Sequence, residues 1–336
     1  MKRTMQKFLC LLALLSAGGG RLHARPADKT PCDSLLIVFW NLENLFDCDG
    51  ENGGPEWTPE GSRHWTQGRL RNKCNGIGKT LLWIGEQYRQ LPDLIAVAEI
   101  ENETVLRRLV YSSVLRKLEY GFVHFESPDK RGIDVALLYR KARFFPDKKG
   151  RPDAEAIRIP GQRTRDILRC RLPLPGRTCD SDSLTLIVNH HPSKLGGPQR
   201  SVPRREAAMR VLREACLQSS ADSSARAFTV ATGDFNDTPD GPAFRILEDV
   251  MVNLSAPLHQ KGEGSLKYDG TWELIDQFWV SPDLAGGHNC ETAVIYAPFL
   301  LTRDSAHEGL KPLRTYSGPR YLGGLSDHLP IVLKIR

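Results

Sequence analysis

The sequence predicts an α/β fold on a layered sheet core. Two observations predict it. Short runs rich in aliphatic residues recur along the chain, several apolar at nearly every position, as expected of strands buried on both faces. Between them lie segments with apolar residues at helical spacing. The composition agrees: 336 residues, 40% hydrophobic and 26% charged, an ordinary globular make-up that excludes a collagen, a coiled coil or a disordered chain.

Strands are expected at 35–40 (LLIVFW), 94–98 (LIAVA), 133–139 (IDVALLY), 166–172, 184–189 (LTLIVN), 227–232, 274–281 and 329–335 (LPIVLKI). A helix is expected over 69–88, where Leu70, Ile77, Leu81, Ile84 and Tyr88 recur at helical spacing. A second is expected over 102–118 through Val105, Leu109 and Leu118. A third covers 203–217, with Ser201 as its N-cap and Pro203 in its first turn. The polar, Gly-rich segments 47–62 and 258–270 read as loops. GIGKT at 76–80 looks like the end of a phosphate-binding loop, but Lys73 stands where that motif needs a glycine. It also falls inside the helical pattern, so it reads as helix. The apolar stretch 294–301 (VIYAPFLL) reads as core rather than as a membrane-touching loop, and the basic run Arg140, Lys141, Arg143, Lys148, Lys149, Arg151 as a surface hairpin.

Residues 1–24 have the order of a secretory signal: Lys2, Arg3 and Lys7, then a ten-residue apolar run from Phe8 to Ala17 interrupted only by Ser16, then small residues. Cleavage is placed at Ala24-Arg25, and the product is expected to be exported, periplasmic or extracellular. The apolar run is too short to span a bilayer, and no longer one follows. The remainder, 25–336, is expected to be one domain and a monomer. The whole chain carries +6. Removing the four basic residues of 1–24 leaves 42 basic against 40 acidic, a net of +2. Net charge therefore says little about an anionic partner. Of eight cysteines, Cys10 leaves with the signal and seven remain, so at least one is unpaired or pairs with another chain. No Cys-x-x-Cys is present, which argues against structural zinc. Cys170 and Cys179 are the only near pair and are expected to bridge.

Polar residues gather at strand ends. Asn41 and Glu43 follow LLIVFW, and Glu99 and Glu101 follow LIAVA. His190 and His191 follow LTLIV, while Asp234, Asn236 and Asp237 follow FTVAT-Gly233. Asp276 interrupts ELIDQFWV, and Asp327 and His328 precede LPIVLKI. Taken singly, each fits a turn or a cap. Their recurrence at one rim of a sheet core makes an oxygen-rich site suited to Mg²⁺ or Mn²⁺, with histidines that can move protons near neutral pH. Alternation along a strand allows only one of Glu99/Glu101 and one of His190/His191 to point into it.

The motifs VFWNLENLF (38–46), PDLIAVAEIEN (92–102), GIDVALLYR (132–140), VNHHPSKLGG (188–197), TGDFNDTP (232–239), LIDQFWVS (274–281) and SDHLPIVL (326–333) resemble, in order, those of the endonuclease/exonuclease/phosphatase superfamily. That superfamily includes deoxyribonuclease I, apurinic endonucleases and bacterial sphingomyelinases. The NLENLF and EIEN forms are most similar to its secreted bacterial nucleases. The resemblance implies a four-layer α/β/β/α sandwich with the site at one rim. It implies that Asn41 and Glu99 hold a divalent metal with Asp327 nearby, that Asp234 and Asn236 position water and phosphate, that His190 and His328 bind the phosphoryl group or shuttle protons, and that Asp276 orients His328. The Trp and Asp-Arg pairing of inositol polyphosphate phosphatases is replaced by LIDQFWV. Basic residues at 194–213, namely Lys194, Arg200, Arg204, Arg205, Arg210 and Arg213, follow the His190 motif. The first three are the candidates for contacting a phosphate backbone, with a solvated helix face as the alternative.

Three functions are weighed. The leading one is an exported metal-dependent phosphodiesterase acting on DNA or RNA. The second is a phospholipase C-type enzyme acting on sphingomyelin or another phospholipid. The third is a non-catalytic surface-binding protein on the same fold, against which the full set of rim residues argues.

Overall fold

The computed structural model describes residues 34–147, 149–175, 182–194, 197–221 and 227–336. The expected signal segment 1–24 lies outside them, as does Cys179, the expected partner of Cys170. Twelve strands build two sheets. In chain order they are β1 (Leu35–Leu45), β2 (Leu94–Ile100), β3 (Tyr120–His124), β4 (Asp134–Arg140), β5 (Asp153–Ile157), β6 (Ile167–Pro173), β7 (Ser183–His190), β8 (Ala227–Asp234), β9 (Val252–Asn253), β10 (Asp276–Val280), β11 (Cys290–Val294) and β12 (Ile331–Ile335). The first sheet runs β11-β12-β1-β2-β4-β3 and the second β5-β6-β7-β8-β10-β9. β1–β2 and β7–β8 are parallel; the other neighbours are antiparallel.

The central strands alternate between two cores, which is why they read as continuous apolar runs. Leu186 and Val188 of β7, Val230 of β8 and Phe278 and Val280 of β10 share a core with the first sheet. Their neighbours Ile187, Ala231 and Trp279 point the other way, into a second core with Ala208, Met209 and Leu212. Those three belong to helix α2 (Pro198–Ala221). Helix α1 (Gln67–Tyr88) packs Leu70, Cys74, Ile77, Leu81 and Ile84 with the first sheet. The result is the four-layer α/β/β/α sandwich. α1 is capped by Thr66, whose side chain accepts from the Arg69 N–H, and ends at Arg89 in the left-handed conformation. GIGKT lies inside it.

Several expected elements are corrected. The helix expected at 102–118 is three pieces: an α-turn Glu103–Arg107, a wider π-turn Arg108–Ser112 and a 3₁₀ turn Val114–Lys117. Ser113 breaks it, because its hydroxyl donates to the Leu109 carbonyl and accepts from the Leu115 N–H. The third helix begins at Pro198, not at 203. Ser201 is therefore not its cap; it lies inside the first turn, donating to the Gly197 carbonyl and accepting from Arg205. Pro203 lies inside this helix, where it cannot donate to the carbonyl four residues back. The loop expected at 258–270 contains the end of a short helix, Ala256–Gln260, and the first strand of a hairpin, Leu266–Tyr268 with Thr271–Glu273. The basic run after β4 is not a hairpin. Lys141–Phe144 is a single helical turn, and Arg140 and Arg143 reach back to the fully buried Asp93 at 3.5 and 3.1 Å. The stretch 294–301 is core at Val294, Ile295, Ala297 and Leu300, while Tyr296 and Phe299 are exposed. Among the described residues no helix is long and apolar enough to cross a membrane.

Candidate active site

Two bulges side by side open the first half of the site. The β1–β2 register jumps between Asn41 and Leu45, and the β2–β4 register between Ala98 and Ile100. Glu43, Asn44 and Glu99 sit there with φ of 46, 54 and 61°. Non-glycine residues rarely adopt this left-handed conformation, and it marks sites where structure is held against local preference. The bulge turns Glu99 toward the rim, where its carboxylate accepts from the Asn44 N–H at 2.8 Å. The expectation that alternation admits only one of Glu99 and Glu101 is corrected: residues two apart share a strand face, and the bulge between Ala98 and Ile100, not alternation, separates them. Glu101 is buried and holds the 47–53 loop through the Asp47 and Gly53 N–H groups. Glu43 accepts from Arg314 and from the Thr315 N–H, and the Arg314 guanidinium also reaches Asp327 at 3.0 Å.

The second half is a row set by register. His190 of β7 lies opposite Asp234 of β8, and Asp234 lies opposite Asp276 of β10. Asp234 is the hub. Its Oδ1 accepts from the Asn236 N–H at 2.9 Å; its Oδ2 accepts from the Asn41 amide of the other sheet at 3.1 Å and lies 3.5 Å from His190 Nε2. His328 bridges two carboxylates: Nδ1 is 2.7 Å from Asp276 and Nε2 is 3.9 Å from Asp234. Trp40 and Ser326 fix it in place, Trp40 donating to its carbonyl and Ser326 accepting from its N–H.

The two histidines are driven apart. Burial opposes a proton on His328, but the charge and hydrogen bond of Asp276, with Asp234 behind, hold its pKa well above the usual value. Burial, with the positive charges of Arg165, Arg131 and His328, pushes His190 well below it. Asp234 is pushed up to about 7 by burial; His328 draws it down and Asp276 raises it. A protonated imidazole, a neutral one and a carboxylate near neutrality thus share one rim. Divided acid and base roles are what such splitting provides.

The remaining sequence candidates are distributed as follows. His191 is buried edge-on against Phe235, turned from the row as alternation requires, and burial with Arg165 and Arg205 pushes it down to about 3. Asn236 donates to the His191 carbonyl at 3.0 Å. Asp237 is paired with Lys194 at 3.1 Å and Arg205 at 3.4 Å. Arg210 pairs with Glu206 and Arg213 with Asp249. Much of the basic stretch is therefore neutralised internally. Arg204 is exposed, and Arg200 lies in the first turn of α2.

Four residues joined to the site carried no local signal. Arg131 contacts both Glu99 oxygens at 3.3 Å. Arg314 joins Glu43 to Asp327. Arg165 donates to the His191 carbonyl at 2.6 Å. Lys73, read only as a break in a phosphate-loop motif, is buried and donates to the Glu43 carbonyl and Thr315. Each charge finds its partner across a long stretch of chain.

The donor set fits a hard divalent ion. Glu43, Glu99 and Asp327 surround Lys73 and Arg314 closely enough for all three to act on both. Burial, then Asp327's charge, pushes Glu43 up to about 7. Carboxylates beside the Asn41 amide are hard oxygen donors that suit such a cation. Asp234, Asp276 and His328 also lie within 4.8 Å of one another. There, however, the short Asp276–His328 contact already occupies Nδ1, the arrangement of an oriented proton carrier.

The family model described as endonuclease/exonuclease/phosphatase matches residues 36–336. Solved structures share the fold. D. rerio TDP2 complexed with single strand DNA product aligns at TM-score 0.55 and 18% identity, covering 90% of this chain and 99% of that one. The human Nocturnin catalytic domain with bound sulfate gives 0.55 and 15%, over 90% and 94%. The Bacteroides thetaiotaomicron mannosyl-6-phosphatase Bt3783 gives 0.53 and 13%, over 90% and 99%. No curated protein matches the chain in sequence.

Proposed function

The chain belongs to the endonuclease/exonuclease/phosphatase family and is a metal-dependent phosphodiester hydrolase; from that premise we propose that its substrate is nucleic acid, DNA or RNA, cleaved at the rim where the two sheets meet. The observation that carries the proposed chemistry is the row His190–Asp234–Asp276, with His328 held between the two carboxylates. A divalent ion, Mg²⁺ or Mn²⁺, held by Glu99 and Asn41 with Asp327 nearby, would supply charge neutralisation at the phosphate. Asp234, aligned by Asn236 and Asn41, takes the proton of the attacking water as its oxygen bonds to phosphorus. His328, kept protonated by Asp276, hydrogen-bonds a phosphoryl oxygen as negative charge develops, and the leaving oxygen takes a proton from solvent as its P–O bond breaks. His190, neutral beside Asp234, holds the phosphate. Arg131 and the exposed Arg204 are the cations that support an extended anionic substrate, Lys194 being paired with Asp237; the DNA product named for TDP2 supports the same reading.

A specific observation favours phospholipid as the second substrate. Leu266 bridges to His328, and its hairpin carries Tyr268, 68% exposed, an aromatic group beside the row. The segment 1–24 is taken as an export signal, checked by sequencing the N-terminus of protein recovered from the periplasm or medium. The deciding experiment assays plasmid DNA, RNA, sphingomyelin and a generic phosphodiester, each with Mg²⁺, Mn²⁺ or EDTA. Nucleic-acid cleavage that EDTA abolishes is expected. Asp234→Ala and His328→Ala should each lose nearly all of it, and full activity in either variant would remove that residue from the mechanism. Cleavage of sphingomyelin alone would transfer the assignment to phospholipid; silence on all four would favour a binding protein.

A further inference from the structure

Glu99, the residue read above as the metal's carboxylate, already has a cation on it. The Arg131 guanidinium contacts both of its oxygens at 3.3 Å and reaches the Asn44 side-chain oxygen at 2.5 Å. A divalent ion coordinated by that carboxylate and a guanidinium forked over both of its oxygens repel each other, and each weakens the carboxylate as a partner of the other. We propose that Arg131 is an exchangeable counter-ion of Glu99: the metal displaces it, and the freed guanidinium binds a phosphate oxygen of the substrate.

The geometry selects Arg131 over the other cations. Lys73 is fully buried and serves the Glu43 backbone and Thr315. Arg314 bridges two carboxylates at 3.0 Å each. Arg131 holds one carboxylate, at longer distances, and its side chain is 51% exposed. Its backbone stays anchored whatever the side chain does. The Arg131 N–H donates to one oxygen of Asp129 at 2.8 Å, and the buried Arg165 holds the other at 3.2 Å while donating to the His191 carbonyl. Exchange therefore needs only a side-chain swing. The swing starts beside the phosphate-binding half, since the Arg131 charge is already felt at His190. Charge balance points the same way: Glu43, Glu99 and Asp327 face Arg131, Arg314 and Lys73, three against three. An added divalent ion leaves an excess that an arriving phosphate offsets, so metal and substrate should each strengthen the other's binding.

The inference rests on the placement of the metal at Glu99, and the experiment separates the two. Mn²⁺ is titrated calorimetrically into substrate-free wild type, Arg131→Gln, Arg131→Lys and Glu99→Gln, with folding checked by circular dichroism. Arg131→Gln should bind Mn²⁺ about fivefold more tightly, the equivalent of about 1 kcal/mol, because its competitor is gone. Arg131→Lys, which keeps the charge without the fork, should fall between. Arg131→Gln should also raise KM for a generic phosphodiester severalfold. If Glu99→Gln weakens Mn²⁺ binding while Arg131→Gln leaves it unchanged or weaker, the exchange is overturned. Tighter Mn²⁺ binding with an unchanged KM overturns the phosphate role. Unchanged binding in Glu99→Gln overturns the metal placement itself.

Discussion

His328 shows how much of the proposed chemistry depends on one neighbour. Its ring is buried, which alone would strip its proton, yet Asp276 at 2.7 Å retains it. Asp276→Asn keeps the shape and removes the charge. The His328 pKa must then fall, so the high-pH limb of the kcat/KM profile should move to lower pH and the maximal rate should drop roughly 10²–10⁴-fold. An unmoved limb would mean that another group sets it. The low-pH limb is expected from Asp234, pushed up to about 7 by burial with His328 and Asp276 beside it, so the profile should report the group rather than one residue. Residue types at the strand ends were legible from sequence: GDFN and SDH presented the carboxylates and histidine directly. Their partners were not, because Arg131, Arg165 and Arg314 look like any surface arginine until folding sets them beside an anion.

Among the elements, the central strands were readable and the edges were not. β3, β5, β9 and β11, the four sheet edges, carried no clear signal. An edge strand buries only part of its surface, and β5 is intermediate or exposed throughout, so its pattern merges with that of loops. The bulges of β1 and β2 were also hidden, since register is a property of paired strands. The close approach of β7 and β8 is open to a direct test. Gly233 passes so near β7 that a Cβ there would run into the Asn189 carbonyl. Gly233→Ala should cost about 1–3 kcal/mol in urea unfolding and displace Asp234, lowering activity in the surviving folded protein. A variant as stable and active as wild type would show that the strands can part without consequence.

Over the whole molecule, pH acts through several buried groups at once. His190 and His191 have depressed pKa values, so the folded state takes up fewer protons than the unfolded state below about 6.5. Their neutral burial favours folding above that pH, and this contribution is lost as pH falls toward 3. Asp234, Glu43 and Glu101, each pushed up to about 7, act in the opposite sense and reduce stability as pH rises from about 4 to 7. The opposing sets flatten the net curve, so the histidine contribution is best seen by difference. Between pH 8 and pH 5, His191→Gln should lose about 2 kcal/mol less stability than wild type in urea unfolding. An equal loss would mean that His191 takes up its proton in the folded state.

The amino-acid sequence by itself determined the sheet core, the order of the central strands and the kinds of group at their ends. Those features follow from local composition, which a short window of residues contains. Only the tertiary structure decided which groups meet. Asn41 reaches Asp234 across 193 positions and Arg314 reaches Glu43 across 271. The bulges that turn Glu43 and Glu99 exist only in strand pairing, and the raised His328 pKa comes from the carboxylates that folding sets beside it, against the effect of burial. Register and burial are non-local, and they bring a row of ordinary polar residues together as the proposed acid, base and cation site.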